Sequence, residues 1–240
     1  MSIRTRHIDY SDGDVALQGC LAWDDAATNP RPGILVSHAW SGRSPFEDAK
    51  AEALAELGYV SFALDVYGKG VRGSSVEENA ALLQPFLDDR MMLRQRLLAA
   101  LDVLREQPEV DATKCGAIGF CFGGLCALDL ARSGADLAGV VSFHGLFHPP
   151  PAGSNSAITA RVLALHGWDD PMVPPAQVEA LADELTTAGA DWQLHAYGNT
   201  MHAFTNPQAD DRDRGTVYAA TADRRSWIAM KNFFAEVFGV

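Results

Sequence analysis

Five short runs of unbroken apolar character, set apart by helix-length segments, constrain this 240-residue chain more than any other feature. They span residues 33–37, 59–64, 115–120, 139–143 and 161–166. Continuous apolarity over so few residues suits a parallel strand covered on both faces; a half-solvated strand would alternate. Residues 192–197 do alternate, which suits a strand nearer a sheet edge. Helical spacing is expected over 46–57, 82–106, 124–132, 175–188 and 216–238. In the fourth of these Val178, Leu181, Ala182 and Leu185 share one face, and in the last Trp227, Met230, Phe234 and Phe238 do. Residues 7–10 and 15–22, joined by Ser11-Asp12-Gly13-Asp14, predict an antiparallel hairpin.

Alternation of strand and helix implies an α/β fold. Its central sheet is mainly parallel, with right-handed crossovers, helices on both faces and the N-terminal hairpin at one edge. The Pro- and Ser-rich stretch 148–156 joins two core strands and is expected to be a surface loop. One domain, 1–240, is therefore expected.

The net charge of −12 argues against a nucleic-acid or anionic-membrane partner, since polyanions are repelled at long range. The basic N-terminal residues have no apolar core behind them, so no secretory signal is expected. No stretch reaches the ~18–20 apolar residues of a membrane span. Cys20, Cys115, Cys121 and Cys126 lack a disulfide-framework spacing, so reduced thiols in a cytoplasm are expected. Gly68-Lys69-Gly70-Val71-Arg72-Gly73 matches no phosphate-binding pattern. His144 and His148 follow a strand rather than sharing a helix face, so neither a cofactor nor a metal is expected.

The chemistry concentrates in Gly119-Phe120-Cys121-Phe122-Gly123, which follows a strand and opens a helix. This is the Gly-x-nucleophile-x-Gly elbow, with cysteine in the nucleophile position. The tight turn demands small neighbours, and the helix N-terminus behind the sulfur favours a thiolate and, later, an oxyanion. A buried cysteine in a Gly-rich turn is the bland alternative; two further loops weigh against it. His166-Gly167-Trp168-Asp169-Asp170 ends a strand, and His202 lies on the loop after the next one. Nucleophile, acid and histidine thus follow the chain order of the α/β-hydrolase fold. Of the two acids Asp170 is chosen, because Pro171 to Pro174 fix its distance from the next helix; Asp169 is left as a helix cap or a solvated neighbour. The loop Ser37-His38-Ala39-Trp40 follows the first central strand. It predicts an oxyanion hole from the backbone N–H groups of Trp40 and Phe122, with His38 structural. Trp40, Tyr67, Phe122, Trp168 and Phe204 are expected to line the substrate pocket. Met91 and Met92 fit the pocket or a helix core equally, while Cys115 and Cys126 are expected to pack as small hydrophobes.

The combination resembles the dienelactone hydrolase family of α/β-hydrolases. The matching residues are Gly119 to Gly124 around Cys121, Asp170-Pro171-Met172-Val173-Pro174, His202-Ala203-Phe204, and Leu64-Asp65-Val66-Tyr67-Gly68. The resemblance implies hydrolysis of esters or lactones by Cys121, His202 and Asp170 through a thioester. It also marks two departures. Ala39 stands where the family's better-known members carry a glutamate beside the thiol, and Asn206, a further expected pocket residue, stands where they carry a carboxylate-binding arginine. A small neutral ester or lactone is therefore the expected partner, with promiscuity toward activated phosphotriesters, in a monomer or homodimer. The competing readings are a non-catalytic binding protein of this fold and a redox sensor centred on Cys121.

Overall fold

The computed structural model describes residues 2–151 and 156–239. The core of the predicted Pro/Ser-rich loop, 152–155, lies outside the described residues. The chain falls into two compact units, Met1–Ile118 and Gly119–Val240.

In the first unit the hairpin strands are β1 (Ile3–Asp12) and β2 (Val15–Asp24), each longer than the alternation suggests. β1 is polar along most of its length and so carries little periodic signal. An unbroken antiparallel ladder, from Ile3 opposite Asp24 to Asp12 opposite Val15, holds it instead. Gly13 supplies the positive φ of the turn. β3 (Arg31–Ser37), β4 (Val60–Ala63) and β5 (Val110–Phe120) complete the order β1-β2-β4-β3-β5, with β4 antiparallel to β2 and parallel to β3. Helix α1 (Pro45–Glu56) starts at a capping box, in which Ser44 and Glu47 each satisfy the other's backbone N–H.

The segment expected as one helix over 82–106 is two, α2 (Val76–Asp88) and α3 (Arg90–Arg105). Asp89, at φ −119° and ψ 89°, leaves the helical region and caps α3 by accepting from the Met91 and Met92 N–H groups. Pro85, lacking an N–H, weakens the end of α2. Ser75 caps α2 and starts it six residues before the expected point.

The second unit opens with α4 (Phe122–Arg132), buried along its whole length. Strands β6 (Gly139–Phe143), β7 (Arg161–Gly167) and β8 (Trp192–Tyr197) follow as parallel neighbours in that order. α5 (Pro175–Thr187) buries Val178, Leu181 and Leu185, three of the four residues on its expected stripe. The final helix α6 begins at Ala220, four residues later than expected, and ends at Phe238. Gly215, at φ +70°, turns the chain so that Thr216–Val217 (β10) pairs with Asp210–Asp211 (β9) instead. Among the described residues no helix is long and apolar enough to cross a membrane.

Candidate active site

The strand-to-helix junction after β5 places Cys121 at φ 57° and ψ −116°, a conformation L-residues rarely adopt. A Cβ on Gly119 would clash with the backbone of Gly123, which is why the elbow needs glycine there. The Cys121 N–H is shared between the Phe143 carbonyl at 3.1 Å and His144 Nδ1 at 3.2 Å. All four cysteines are free thiols, and only the Cys121 side is partly open to solvent. Cys115 and Cys126 are buried as expected.

The loops after β7 and β8 bring Asp170 and His202 together. His202 Nδ1 lies 2.6 Å from Asp170 Oδ2, and both side chains are almost completely buried. Asp170 Oδ1 accepts the Met172 N–H at 2.8 Å, so both carboxylate oxygens are engaged. Asp169 is exposed and forms a backbone bond from its N–H to the Thr200 carbonyl. The geometry thus separates two adjacent acids that the sequence distinguishes by one residue. Burial alone would lower the His202 pKa. The charge of Cys121 and the hydrogen bond to Asp170 outweigh it and raise the value to about 10. The Cys121 sulfur acts on His202 first through its charge and, less strongly, through a hydrogen bond.

The β9–β10 pair, which sequence reasoning missed, pins this histidine. The His202 N–H donates to the Gly215 carbonyl at 2.9 Å, and its own carbonyl accepts the Val217 N–H at 3.0 Å. Gly215 also packs so tightly on Pro171 that a Cβ would overlap the proline ring. The acid loop and the histidine loop are thereby locked to each other. Strands of two residues leave no periodic trace; Gly215 was the available signal.

Of the expected pocket residues in this unit, Phe204 is fully buried and packs edge-on against His144 and Tyr197. Trp168 is 47% exposed. Asn206 is half-buried and caps the following turn, its Oδ1 accepting the Gln208 N–H. Phe122 is the first residue of α4.

In the first unit, the Tyr67 hydroxyl donates to the Trp40 carbonyl at 2.9 Å. His38 uses both ring nitrogens: Nδ1 donates to the Ala39 carbonyl and Nε2 accepts the Val66 N–H. Burial, only partly offset by nearby groups, lowers its pKa to about 4, which keeps it neutral and structural. The Ala39 N–H is held by the buried Glu47 carboxylate. Met91 is 55% exposed and is no part of a helix core.

His7, Cys20 and Asp48 place potential metal-ligand atoms within 4.8 Å of one another. Arg43 already grips Asp48 with two hydrogen bonds, and burial raises the Cys20 thiol to about 11. Both effects oppose a cation there.

A mainly parallel α/β scaffold with a tight glycine-flanked turn at Cys121 and a buried Asp170–His202 contact on strand-end loops is an α/β-hydrolase fold. More narrowly, the chain belongs to the dienelactone hydrolase family, whose model matches residues 17–238. It is similar to a solved dienelactone hydrolase-like promiscuous phosphotriesterase from metagenomic libraries, at 40% identity over 99% of each chain and a TM-score of 0.95. A second solved structure, m3DLH, shares 39% identity over 98% of each chain with a TM-score of 0.94. A Yersinia pestis protein provisionally named carboxymethylenebutenolidase is 28% identical over 98% of this chain and 91% of its own.

Proposed function

We propose that the protein hydrolyses small carboxylic esters or lactones with Cys121 as nucleophile, His202 as acid–base and Asp170 as the group that orients it. The buried 2.6 Å contact between Asp170 and His202, with the histidine held cationic beside the sulfur, carries this reading. The Cys121 thiolate attacks the ester carbonyl, and charge moves onto the carbonyl oxygen, for which the Phe122 N–H at the start of α4 is the proposed donor. The tetrahedral adduct expels the alkoxide, which takes the proton from His202 Nε2 and leaves a thioester on Cys121. Neutral His202 then removes a proton from water; the resulting hydroxide attacks the thioester, releases the acid and restores the thiolate–imidazolium pair. Asp170 keeps the imidazole proton on Nδ1 throughout and stabilises the imidazolium.

Asn206 in place of a cation, together with the exposed acids Asp210 and Asp211 of β9 and Asp213 just after it, favours neutral substrates. The likeness to a promiscuous phosphotriesterase supports a side activity on activated phosphotriesters, whose phosphorus is also open to attack by a thiolate. The test is steady-state turnover of a neutral aryl ester by wild type and Cys121→Ala, with mass spectrometry of the quenched enzyme for an acyl adduct. Loss of turnover with retained fold, and an adduct confined to Cys121, is the expected result. Undiminished turnover in Cys121→Ala sinks the assignment.

A further inference from the structure

The sequence sets His144 aside as a metal ligand, yet the side chain is buried to 2% exposure and uses both ring nitrogens within the site. Nδ1 accepts the Cys121 N–H at 3.2 Å, a proton also shared with the Phe143 carbonyl. On the far side of the ring, Nε2 lies 2.8 Å from the Thr205 hydroxyl, three residues beyond His202 and itself buried. Because Nδ1 must accept, the proton sits on Nε2 and is donated to Thr205. The ring also stands edge-on to His202, 5.2 Å between centroids. His144 itself is at φ +37°, a conformation that a non-glycine residue keeps only when its surroundings hold it. Its own N–H to the Leu165 carbonyl at 2.8 Å is part of that hold.

We propose that His144 is a positioning residue that ties the Cys121 elbow to the His202 loop and so sets the spacing of sulfur and imidazole. This rests on the nucleophile assignment above. A neutral imidazole is required, because a proton on Nδ1 would face the Cys121 N–H, donor against donor. The side chain acts through two hydrogen bonds of known direction, so the legs can be cut separately. His144→Phe keeps the ring and removes both. Thr205→Val removes only the second. His144→Asn keeps an acceptor close to the Cys121 N–H, cannot span to Thr205, and tolerates positive φ.

The readouts are kcat and KM on a neutral aryl ester, and the pH dependence of Cys121 alkylation by iodoacetamide, with thermal melts to establish folding. His144→Phe should lower kcat by roughly thirtyfold or more, about two hydrogen bonds' worth, with KM within about threefold. Its alkylation midpoint should move by about half a pH unit or more. Thr205→Val should lose about tenfold, and adding it to His144→Phe should cost little further, since the leg is already gone. His144→Asn should recover part of the loss. A folded His144→Phe or Thr205→Val protein with the wild-type alkylation profile and kcat overturns the proposal; if His144→Phe does not fold, Thr205→Val and His144→Asn decide it. Turnover surviving in Cys121→Ala would instead bring down the nucleophile assignment.

Discussion

Replacing Asp170 by Asn changes one atom and removes more than one interaction. The carboxylate accepts from His202 at Oδ2 and from the Met172 N–H at Oδ1. An amide of the same shape has only one acceptor oxygen, so in either orientation an NH2 group faces one of those donors. If it faces Met172, a part-buried N–H loses its acceptor and the imidazole keeps a neutral acceptor in place of an anion. If it faces His202, the imidazole must shift its proton to Nε2 and can no longer take one there. The charge-assisted bond alone is worth about 1.5–3 kcal/mol, or roughly 10- to 150-fold in rate. The wrong tautomer adds to that, so kcat should fall by about a hundredfold or more with little change in KM.

The pH profile gives a second signature. The imidazolium must survive to protonate the leaving alkoxide, and its pKa is raised to about 10 partly by Asp170. The alkaline limb of kcat/KM should therefore lie near that value in wild type and move to lower pH in Asp170→Asn. Asp169→Asn, exposed and bonded here through its backbone, should stay within about twofold of wild type on both measures. Profiles of the three proteins from pH 6 to pH 11 on one neutral aryl ester check this. Equal losses in both variants, or an alkaline limb that ignores Asp170, would mean that Asp170 is not the group that orients His202.

Three further outcomes are expected. Gly119→Ala should cost several kcal/mol of stability or fail to fold, because its Cβ would overlap Gly123, and a chemical-denaturation series against wild type measures it. Stability should also respond to pH through His202: its folded pKa lies above the unfolded value of 6.5, so its contribution is complete below about 6.5 and vanishes as pH rises through about 10. Melting temperatures across that range should fall more in wild type than in Asp170→Asn. A neutral aryl ester should show at least about tenfold higher kcat/KM than its carboxylate-bearing analogue, narrowing at high salt, and preference for the anion would contradict the reading of Asn206.

The α/β scaffold was legible because buried parallel strands must be continuously apolar, and the five runs each fall on an observed strand. The tight turn at Cys121 was legible because such a strand-to-helix junction needs Gly119, and the meeting of Asp170 with His202 because the residues after Asp170 fix its reach. What escaped had physical reasons. β1 lies at an edge, is polar over much of its length and is held by its ladder, so periodicity underestimates it. The break at Asp89 comes from a side chain that caps better than it continues a helix, which an apolar pattern cannot register. The β9–β10 pair and the role of His144 are tertiary: each depends on which loop the fold carries beside His202, and no spacing along the chain encodes that.

The strained residues show how such a site is kept rigid. Cys121, His144 and Ala203 all carry positive φ without being glycine, and each lies on a different loop of the second unit. Such residues cost about 1–3 kcal/mol apiece and persist only where neighbours over-determine them. Here the restraints interlock. The Cys121 N–H reaches Phe143 and His144, the His144 N–H reaches Leu165, and the Ala203 carbonyl accepts from Asn206. His144 then closes the path through Thr205, beside Ala203 and two residues further on. Relaxing any one of the three would release bonds that hold another, so the strain is shared by a connected set rather than stored at Cys121 alone. That connection lets a 2.6 Å acid–histidine contact and a sulfur on a separate loop stay in register without a disulfide among the four cysteines.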